Sequence, residues 1–387
     1  MALARLPAGG QITAGATFPI MRRALRSLFR SLTLGMVSLL PAAAAPNPPA
    51  TAALDRAATD PGAPLNLESY SSAILPGNGL NQHPFFYTGQ YDFRHPVQRM
   101  VIVRAGKITW SYEIPTHAND AAQTLQELSD ATLLSNGNVV FARKTGAGVV
   151  TPDKKLLWNY DAPKGCEVHV CQPIGLDHVM IVQNGLPARL MIINLATGKS
   201  EKEFVLPTNG DPKTIHTQFR RAHRTPAGTF LVAHHDQDKV VEYGADGHPI
   251  WSVAARIPWD AVRLANGNTL ISSHDCYVRE VNPEGRTVWE FTQKDAPGIA
   301  LWCLQEASRL ANGNTLISNW CPVGVVDATG AKAPAKWPST VQVLEVTPDK
   351  KIVWALRSWT PPADLGPATV IQLLDEPGRP EFQEQQR

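Results

Sequence analysis

Charged residues recur at fixed distances from four turn glycines of this chain. Seven residues before each glycine stand Asp130, Arg221, Asp260 and Glu306, and six residues after it stand Arg143, His234, Ser273 and Asn319. A two-residue hairpin places these two positions opposite one another. The spacing therefore predicts four cross-strand pairs: Asp130–Arg143, Arg221–His234, Asp260–Ser273 and Glu306–Asn319.

A second polar and aromatic set lies one position further from the turns. It consists of Ser129, Arg220, Trp259 and Gln305, which should face Lys144, His235, His274 and Trp320. Less regular segments add His169 from CEVHVC, His216 and Gln218 from HTQFRR, and also Trp302 and Gln372. A polar and aromatic set gathered at one end of the strands predicts a ligand pocket.

Several chemistries fit this set. Asp260 and Glu306 could form the acid/base pair of a glycoside hydrolase, with Trp259, Trp302 and Trp320 as flat faces for sugars. A lyase instead needs an arginine to neutralise a uronate and a histidine to move the proton, which Arg220, Arg221, His216 and His234 could supply. We therefore favour a hydrolase or lyase acting on carbohydrate or anionic glycans.

Two other readings stay open. The protein could bind a glycan or a protein without catalysis, and the charged ring could simply solvate a channel. A divalent metal is a further possibility, because His169, His216 and His234 could act as nitrogen ligands. The sequence indicates no other cofactor.

A sequence repeat predicts the strands that must position these residues. RLANGNTLIS begins at Arg263 and again at Arg309. Each repeat unit contains four short apolar runs separated by turn residues, which is typical of a β-propeller blade. One aromatic ends each unit, and the six aromatics predict six blades: Trp110, Trp158, Phe204, Trp251, Trp289 and Trp354. The first unit shows only three strands, so we expect TVIQLLDE (369–376) to close the ring.

The repeats NGNTLIS and VREVNPEGRTVWEF resemble those of quinoprotein-like β-propellers, above all the arylsulfotransferase type, and LATGKSEKEF resembles a pyrroloquinoline-quinone repeat. The resemblance implies sulfuryl transfer from an aryl sulfate through a histidine nucleophile in the periplasm. His169, His216, His234 and His274 are the candidates for that nucleophile, with Arg220 or Arg221 as the anion clamp. Pyrroloquinoline quinone itself is not expected, because the related dehydrogenases have eight blades and adjacent cysteines.

The rest of the chain indicates export. Residues 1–45 are predicted to contain a signal peptide, with Met21 as the true start. A Pro/Ala-rich linker (46–66), one propeller domain (67–377) and a tail (378–387) should follow. We expect a periplasmic or secreted monomer without a membrane anchor, and the net charge of +2 argues against nucleic-acid binding. The five cysteines suggest Cys303–Cys321 and Cys166–Cys171 disulfides, which leaves Cys276 unpaired.

Overall fold

The computed structural model describes residues 74–92, 94–321 and 340–385. The predicted signal peptide and linker lie outside these residues. Within the described residues, the strands form six four-stranded antiparallel sheets. The predicted six-bladed β-propeller is therefore confirmed. None of the helices in this part of the chain is long and apolar enough to span a membrane.

The first three sheets contain the strands up to residue 206 together with the last strand of the chain. Their strands are β1 (Phe85–Gly89), β2 (Val97–Arg104), β3 (Lys107–Pro115), β4 (Leu128–Leu133), β5 (Val139–Arg143), β6 (Gly146–Val150), β7 (Leu156–Asp161), β8 (Glu167–Ile174), β9 (His178–Asn184), β10 (Ala188–Asn194) and β11 (Ser200–Leu206).

The remaining three sheets continue in the same order, four strands at a time. Their strands are β12 (Phe219–Arg224), β13 (Phe230–His234), β14 (Lys239–Tyr243), β15 (Pro249–Ala254), β16 (Pro258–Arg263), β17 (Thr269–Ser273), β18 (Tyr277–Val281), β19 (Thr287–Thr292), β20 (Cys303–Arg309), β21 (Thr315–Trp320), β22 (Val343–Val346) and β23 (Ile352–Leu356). Short 3-10 helices are Gly79–Asn81, Pro212–Thr217, His235–Gln237, Gln293–Asp295 and Pro380–Phe382.

The last strand, β24 (Ala368–Leu373), pairs antiparallel with β1 and completes the first blade. β4, β8, β12, β16, β20 and β24 contact one another in turn, so they form the innermost ring around the axis. The predicted closure by the C-terminal strand is thus confirmed. It joins the two ends of the described chain in one sheet and protects the inner edge of the first blade.

The six aromatics that predicted the blades all lie on outermost strands. Four tryptophan indoles donate to carbonyls of a neighbouring segment, at 2.7 to 3.0 Å: Trp110 to Pro152, Trp251 to Pro283, Trp289 to Pro348 and Trp354 to Gly79. The rings also pack in apolar clusters together with residues of neighbouring blades. These aromatics therefore hold blades together, as a wedge between sheets should.

The inner hairpins differ from the predicted two-residue turns. Gly137 has a φ of +85°, its N–H donates to Leu134 O, and Leu134 and Asn138 form the last bridge. The loop therefore has three residues, with glycine in the left-handed region. This shifts the register by one, so Asp130 pairs with Ala142 and Asp260 with Ser272. The four predicted cross-strand pairs are accordingly wrong.

The predicted disulfides are also absent from the described residues, where all five cysteines are free. The same register puts Trp320, not Cys321, opposite Cys303. The Cys321 thiol lies 3.7 Å from Thr340 Oγ1. Cys171 is buried within an apolar cluster, and Cys276 donates to Trp302 O at 2.6 Å.

Candidate functional site

A β-bulge interrupts each innermost strand at the same level of the propeller. The register breaks between residues 128 and 130, 168 and 170, 219 and 222, 258 and 260, and 304 and 306, and opposite residues 88 and 89 in the first blade. A bulge re-aims side chains and is common beside active sites. The bulged residues are Ser129, His169, Arg220 with Arg221, Trp259, Gln305 and Thr369.

Two histidines share one carboxylate next to this ring of bulges. Glu167 begins β8, His169 is its bulged residue, and His216 lies in the 3-10 helix Pro212–Thr217. Glu167 Oε2 accepts from His169 Nε2 at 2.9 Å and from His216 Nδ1 at 2.7 Å. Lys144 Nζ lies 3.2 Å from the other oxygen. His169 is fully buried, whereas the His216 side chain is 35% exposed.

Glu127 is the buried carboxylate on the opposite side of the two imidazoles. Its Oε2 lies 3.8 Å from His169 Nδ1 and 3.6 Å from His216 Nε2. Tyr91 Oη donates to the same oxygen at 2.6 Å. Arg220 Nη1 donates to Oε1 at 3.0 Å, and Gln90 also donates there. Glu127, Glu167, His169 and His216 therefore form one cluster, which we call the Glu-His centre.

The charges in the Glu-His centre follow from these contacts. Burial opposes ionisation of Glu127, but Arg220 and the imidazoles outweigh it and lower its pKa to about 2. Burial lowers the pKa of His169 to about 4, despite the nearby Glu127. Burial is likewise outweighed at Glu167, where hydrogen bonds from His169 and His216 lower the pKa. Among the groups that lower the pKa of Glu127, Arg220 has the largest effect.

An aromatic patch adjoins the Glu-His centre. The Arg220 guanidinium lies 4.6 Å from the centre of the Trp259 ring. His235 packs edge-on against Trp259 and lies near His274. Both ring nitrogens of His235 are buried without a partner among the described residues, and burial, then Arg220, lowers its pKa to about 2. The predicted residues Arg220, Trp259, His235 and His274 are thus brought together with His169 and His216.

The predicted acids of the inner strands are engaged elsewhere. Asp130 binds Arg221 and accepts from Cys171 N at 3.1 Å. Glu306 accepts from Ile371 N at 3.0 Å, and Asp260 binds His223 Nε2 at 2.7 Å. All are nearly inaccessible. Because innermost strands leave backbone N–H groups unpaired at the axis, two of these acids serve as acceptors for them. The structure does not present Asp260 and Glu306 as a solvent-facing acid/base pair.

Other predicted site residues have structural contacts. His234 is buried against Phe219 and accepts from or donates to Tyr243 Oη at 2.8 Å, inside its own blade. Arg143 binds Asn159 and Asp161 instead of Asp130. Further side chains bond to backbone groups: Gln218 at Gly185, Asn319 at Ala300 and Val341, Gln372 at Leu133, and Trp320 at Gln90. Trp302 packs near Cys321 and Trp359, and Gln305 is buried with its amide unpaired in the described chain.

Sequence reasoning missed Glu127, Glu167 and Tyr91. A signal did exist for Glu167, because the Glu-x-His spacing of residues 167 and 169 brings two polar groups close along one strand. Glu127 lies just before β4, beyond the positions compared between repeats. Its partner Arg220 is 93 residues away, so no local pattern connects them.

A separate cavity of about 640 Å³ lies on the other side, among the inner-hairpin turns. His223, Gln172 and Glu242 line it, together with the C-terminal residues Pro380 and Gln383. It contains none of the residues of the Glu-His centre. The candidate site described above and this cavity therefore occupy different places in the propeller.

Comparisons with known proteins support the fold. No protein-family model matches the chain, and no curated protein matches its sequence. A protein of unknown function from Bacteroides caccae superposes with a TM-score of 0.61 and 22% identity, over 75% of this chain and 98% of that one. A streptogramin B lyase gives 0.45 and 14% identity, over 69% and 86%. A catalytically inactive virginiamycin B lyase from Staphylococcus aureus with quinupristin gives 0.47 and 14%, over 72% and 97%. The likeness to the Bacteroides caccae protein bears on the fold alone.

Proposed function

We propose that this β-propeller is a hydrolase or lyase that acts on carbohydrate or anionic glycan substrates at the Glu-His centre. The observation that carries the proposal is the pair of imidazoles joined by Glu167, one buried and one reaching solvent. A carboxylate that fixes the tautomer and orientation of a histidine is a recurring arrangement in acid–base catalysis. The substrate approaches at His216, since this imidazole is the exposed member of the pair.

The surroundings support a polar or anionic substrate. Arg220 and Lys144 place cationic groups beside the two histidines. Trp259, His235 and His274 add ring edges and faces next to Arg220, and such rings bind sugars or aryl groups. The predicted export would give this site access to glycans outside the cytoplasm. These features favour acid–base chemistry at His216 over the Asp260 and Glu306 pair.

The test is turnover by the full chain on sulfated and uronate-containing glycans and on aryl sulfates. We expect His216→Ala to lose on the order of a hundredfold or more in rate with an unchanged melting temperature, because general acid–base groups contribute that much. His95→Ala is the matched control, since His95 is similarly exposed at 40% but binds Asp364. Full activity in His216→Ala would refute the proposal.

Two alternatives give different results in the same assay. Transfer of sulfate from an aryl sulfate to a phenol would favour the arylsulfotransferase-like function, with His216 as the histidine whose position suits a nucleophile. Saturable glycan binding without any turnover would favour a binding module. The observation that favours this second alternative is that both ring nitrogens of His235, next to Trp259, have no hydrogen-bond partner among the described residues.

A further inference from the structure

The hydrogen bonds to Glu167 determine which nitrogens of the two imidazoles carry protons. An ionised carboxylate only accepts hydrogen bonds. His169 Nε2 and His216 Nδ1 must therefore be the protonated atoms that donate to Glu167 Oε2. In neutral imidazoles the remaining nitrogens, His169 Nδ1 and His216 Nε2, then carry lone pairs. Ser129 Oγ lies 2.9 Å from His169 Nδ1 and 3.3 Å from the backbone oxygen of Glu127, so its one proton can be donated to either acceptor.

The two nitrogen atoms that carry these lone pairs both lie near one carboxylate oxygen, Glu127 Oε2. Glu127 Oε2 lies 3.6 Å from His216 Nε2 and 3.8 Å from His169 Nδ1. One donor atom from each of the three residues lies within 4.8 Å of the others. The Tyr91 hydroxyl and Arg220 already contact Glu127 Oε2 and His169 Nδ1, and a positive ion between the three atoms would satisfy all of them at once.

We propose that Glu127, His169 and His216 bind one divalent transition-metal ion of the Zn²⁺ or Co²⁺ type. Nitrogen and carboxylate donors suit these ions better than Mg²⁺ or Ca²⁺, which prefer oxygen alone. Donors at about 2.1 Å from one ion are separated by roughly 3 to 3.5 Å. The separations of 3.6 and 3.8 Å between Glu127 Oε2 and the two nitrogens therefore need only a small contraction.

Glu167 has the position of an outer carboxylate in such a site. Metal-binding histidines usually donate their second ring N–H to a carboxylate, which fixes the ring and increases its basicity. Glu167 Oε2 does this for both rings at once. The Tyr91 hydroxyl and Arg220 similarly hold Glu127. The three ligands are thus oriented before any ion binds.

Arg220 is a cation already present beside the proposed ligands, whereas Lys144 lies against Glu167. Arg220 Nη1 lies 3.0 Å from Glu127 Oε1 and 3.3 Å from His169 Nδ1. Glu127 Oε2 accepts instead from the Tyr91 hydroxyl at 2.6 Å, which leaves a further lone pair of this oxygen for an ion. Metal binding requires both Arg220 Nη1 and Ser129 Oγ to leave the lone pair of His169 Nδ1, while Nη1 keeps Glu127 Oε1. The Trp259 ring under the guanidinium limits how far Arg220 moves.

A second cluster provides an internal comparison. Asp92, His95 and Asp364 also offer three donor atoms within 4.8 Å. There, Arg94 Nη2 donates to both carboxylates at 2.6 Å. A guanidinium between the two acids already supplies the positive charge, so we expect no metal at that cluster. His95 therefore serves as the matched control.

The experiment measures metal directly and needs no substrate. The full chain, purified without a histidine tag, is dialysed against Zn²⁺ or Co²⁺, and bound metal is counted by mass spectrometry. We expect one ion per chain, a visible Co²⁺ absorption band, and no comparable retention of Mg²⁺ or Ca²⁺. His216→Ala should abolish stoichiometric binding, Glu167→Gln should weaken it about 10- to 100-fold, and His95→Ala should leave it unchanged.

Each other result overturns the inference. Wild-type protein that retains no Zn²⁺ or Co²⁺, or His216→Ala that retains one ion, would refute it. Loss of binding in His95→Ala alone would place the ion at the second cluster, which also refutes it. The inference shares its residues with the proposed function, but the two use His216 Nε2 differently, since a nitrogen bound to a metal cannot also transfer a proton. They therefore fail separately. A metal-free enzyme that loses turnover in His216→Ala keeps the function and excludes the metal, whereas metal binding without turnover does the opposite.

Discussion

Two glutamates of the Glu-His centre have different functions that follow from their surroundings. Glu127 is buried and kept ionised by Arg220, with the Tyr91 hydroxyl on its other oxygen. Glu167 is more accessible and contacts both imidazoles and Lys144. The first therefore presents a fixed negative charge, and the second orients the histidines. The proposed reactivity of His216 depends on both.

The hydrogen bond of Tyr91 to Glu127 should contribute more to the free energy of unfolding than a hydrogen bond between two neutral groups. Hydrogen bonds to charged groups contribute about 1.5–3 kcal/mol, against about 0.5–1.5 for neutral pairs. We expect Tyr91→Phe to lower the free energy of unfolding by the larger amount in urea titrations. Tyr160→Phe is the control, because Tyr160 donates to the neutral amide of Gln183. Equal losses in the two variants would contradict the ionised state of Glu127.

His234 should make the fold sensitive to acid. Burial lowers its pKa from 6.5 to about 3. Below pH 6.5 the unfolded chain takes up a proton that the folded chain refuses, so stability is lost as the pH falls towards 3. His234→Gln should reduce the slope of unfolding free energy against pH, between pH 5 and 4, by up to about 1.4 kcal/mol per unit. Exposed His248→Gln is the control, and parallel curves for wild type and His234→Gln would contradict this account.

The stability of each blade depends on how deeply the aromatic residue on its outermost strand is buried. Trp354 is fully buried between the last blade and the segment around Gly79, whereas Trp289 is only half-buried. Removing a buried tryptophan to alanine costs roughly 3–5 kcal/mol. We expect Trp354→Ala to lose that amount of unfolding free energy and Trp289→Ala to lose clearly less. Equal losses, measured by urea unfolding, would mean that position in the blade matters more than burial.

The elements were largely predictable, but their register was not. Alternating apolar runs around Asn-Gly, with an aromatic at the end, indicated four strands and six blades. A two-residue and a three-residue hairpin loop can contain the same Asn-Gly sequence. The sequence pattern therefore predicts Arg143 opposite Asp130, whereas the structure has Ala142 there. The bulge at Ser129 gives no local signal either. The three-residue loop and the bulge together place Asp130 against Arg221. Asp130 is therefore not part of the Glu-His centre.

At the scale of the whole molecule, the site depends on ring closure. Its residues come from the ends of β1, β4, β5, β8 and β12 and from the 3-10 helix Pro212–Thr217, and they meet only because the inner strands form a ring. His169, His216 and Arg220 were predictable because they interrupt a repeated apolar pattern. Glu127 and Tyr91 were not, because their importance arises from contacts across blades. A sequence repeat describes one blade, whereas the site is formed between blades.

The C-terminal strand is the most direct test of this dependence. Ending the chain after Pro367 removes β24, so β1 loses its inner partner and keeps only β2, and the acceptor Glu306 loses Ile371 N. We expect that variant to unfold or aggregate, because an unpaired inner edge would be exposed. Ending the chain after Glu376 keeps β24 and removes the tail, including the contact of Glu381 O with Gly175 N at 2.8 Å. This control should stay folded with a lowered melting temperature, and a soluble Pro367 truncation with the wild-type melting temperature would show that β24 is dispensable.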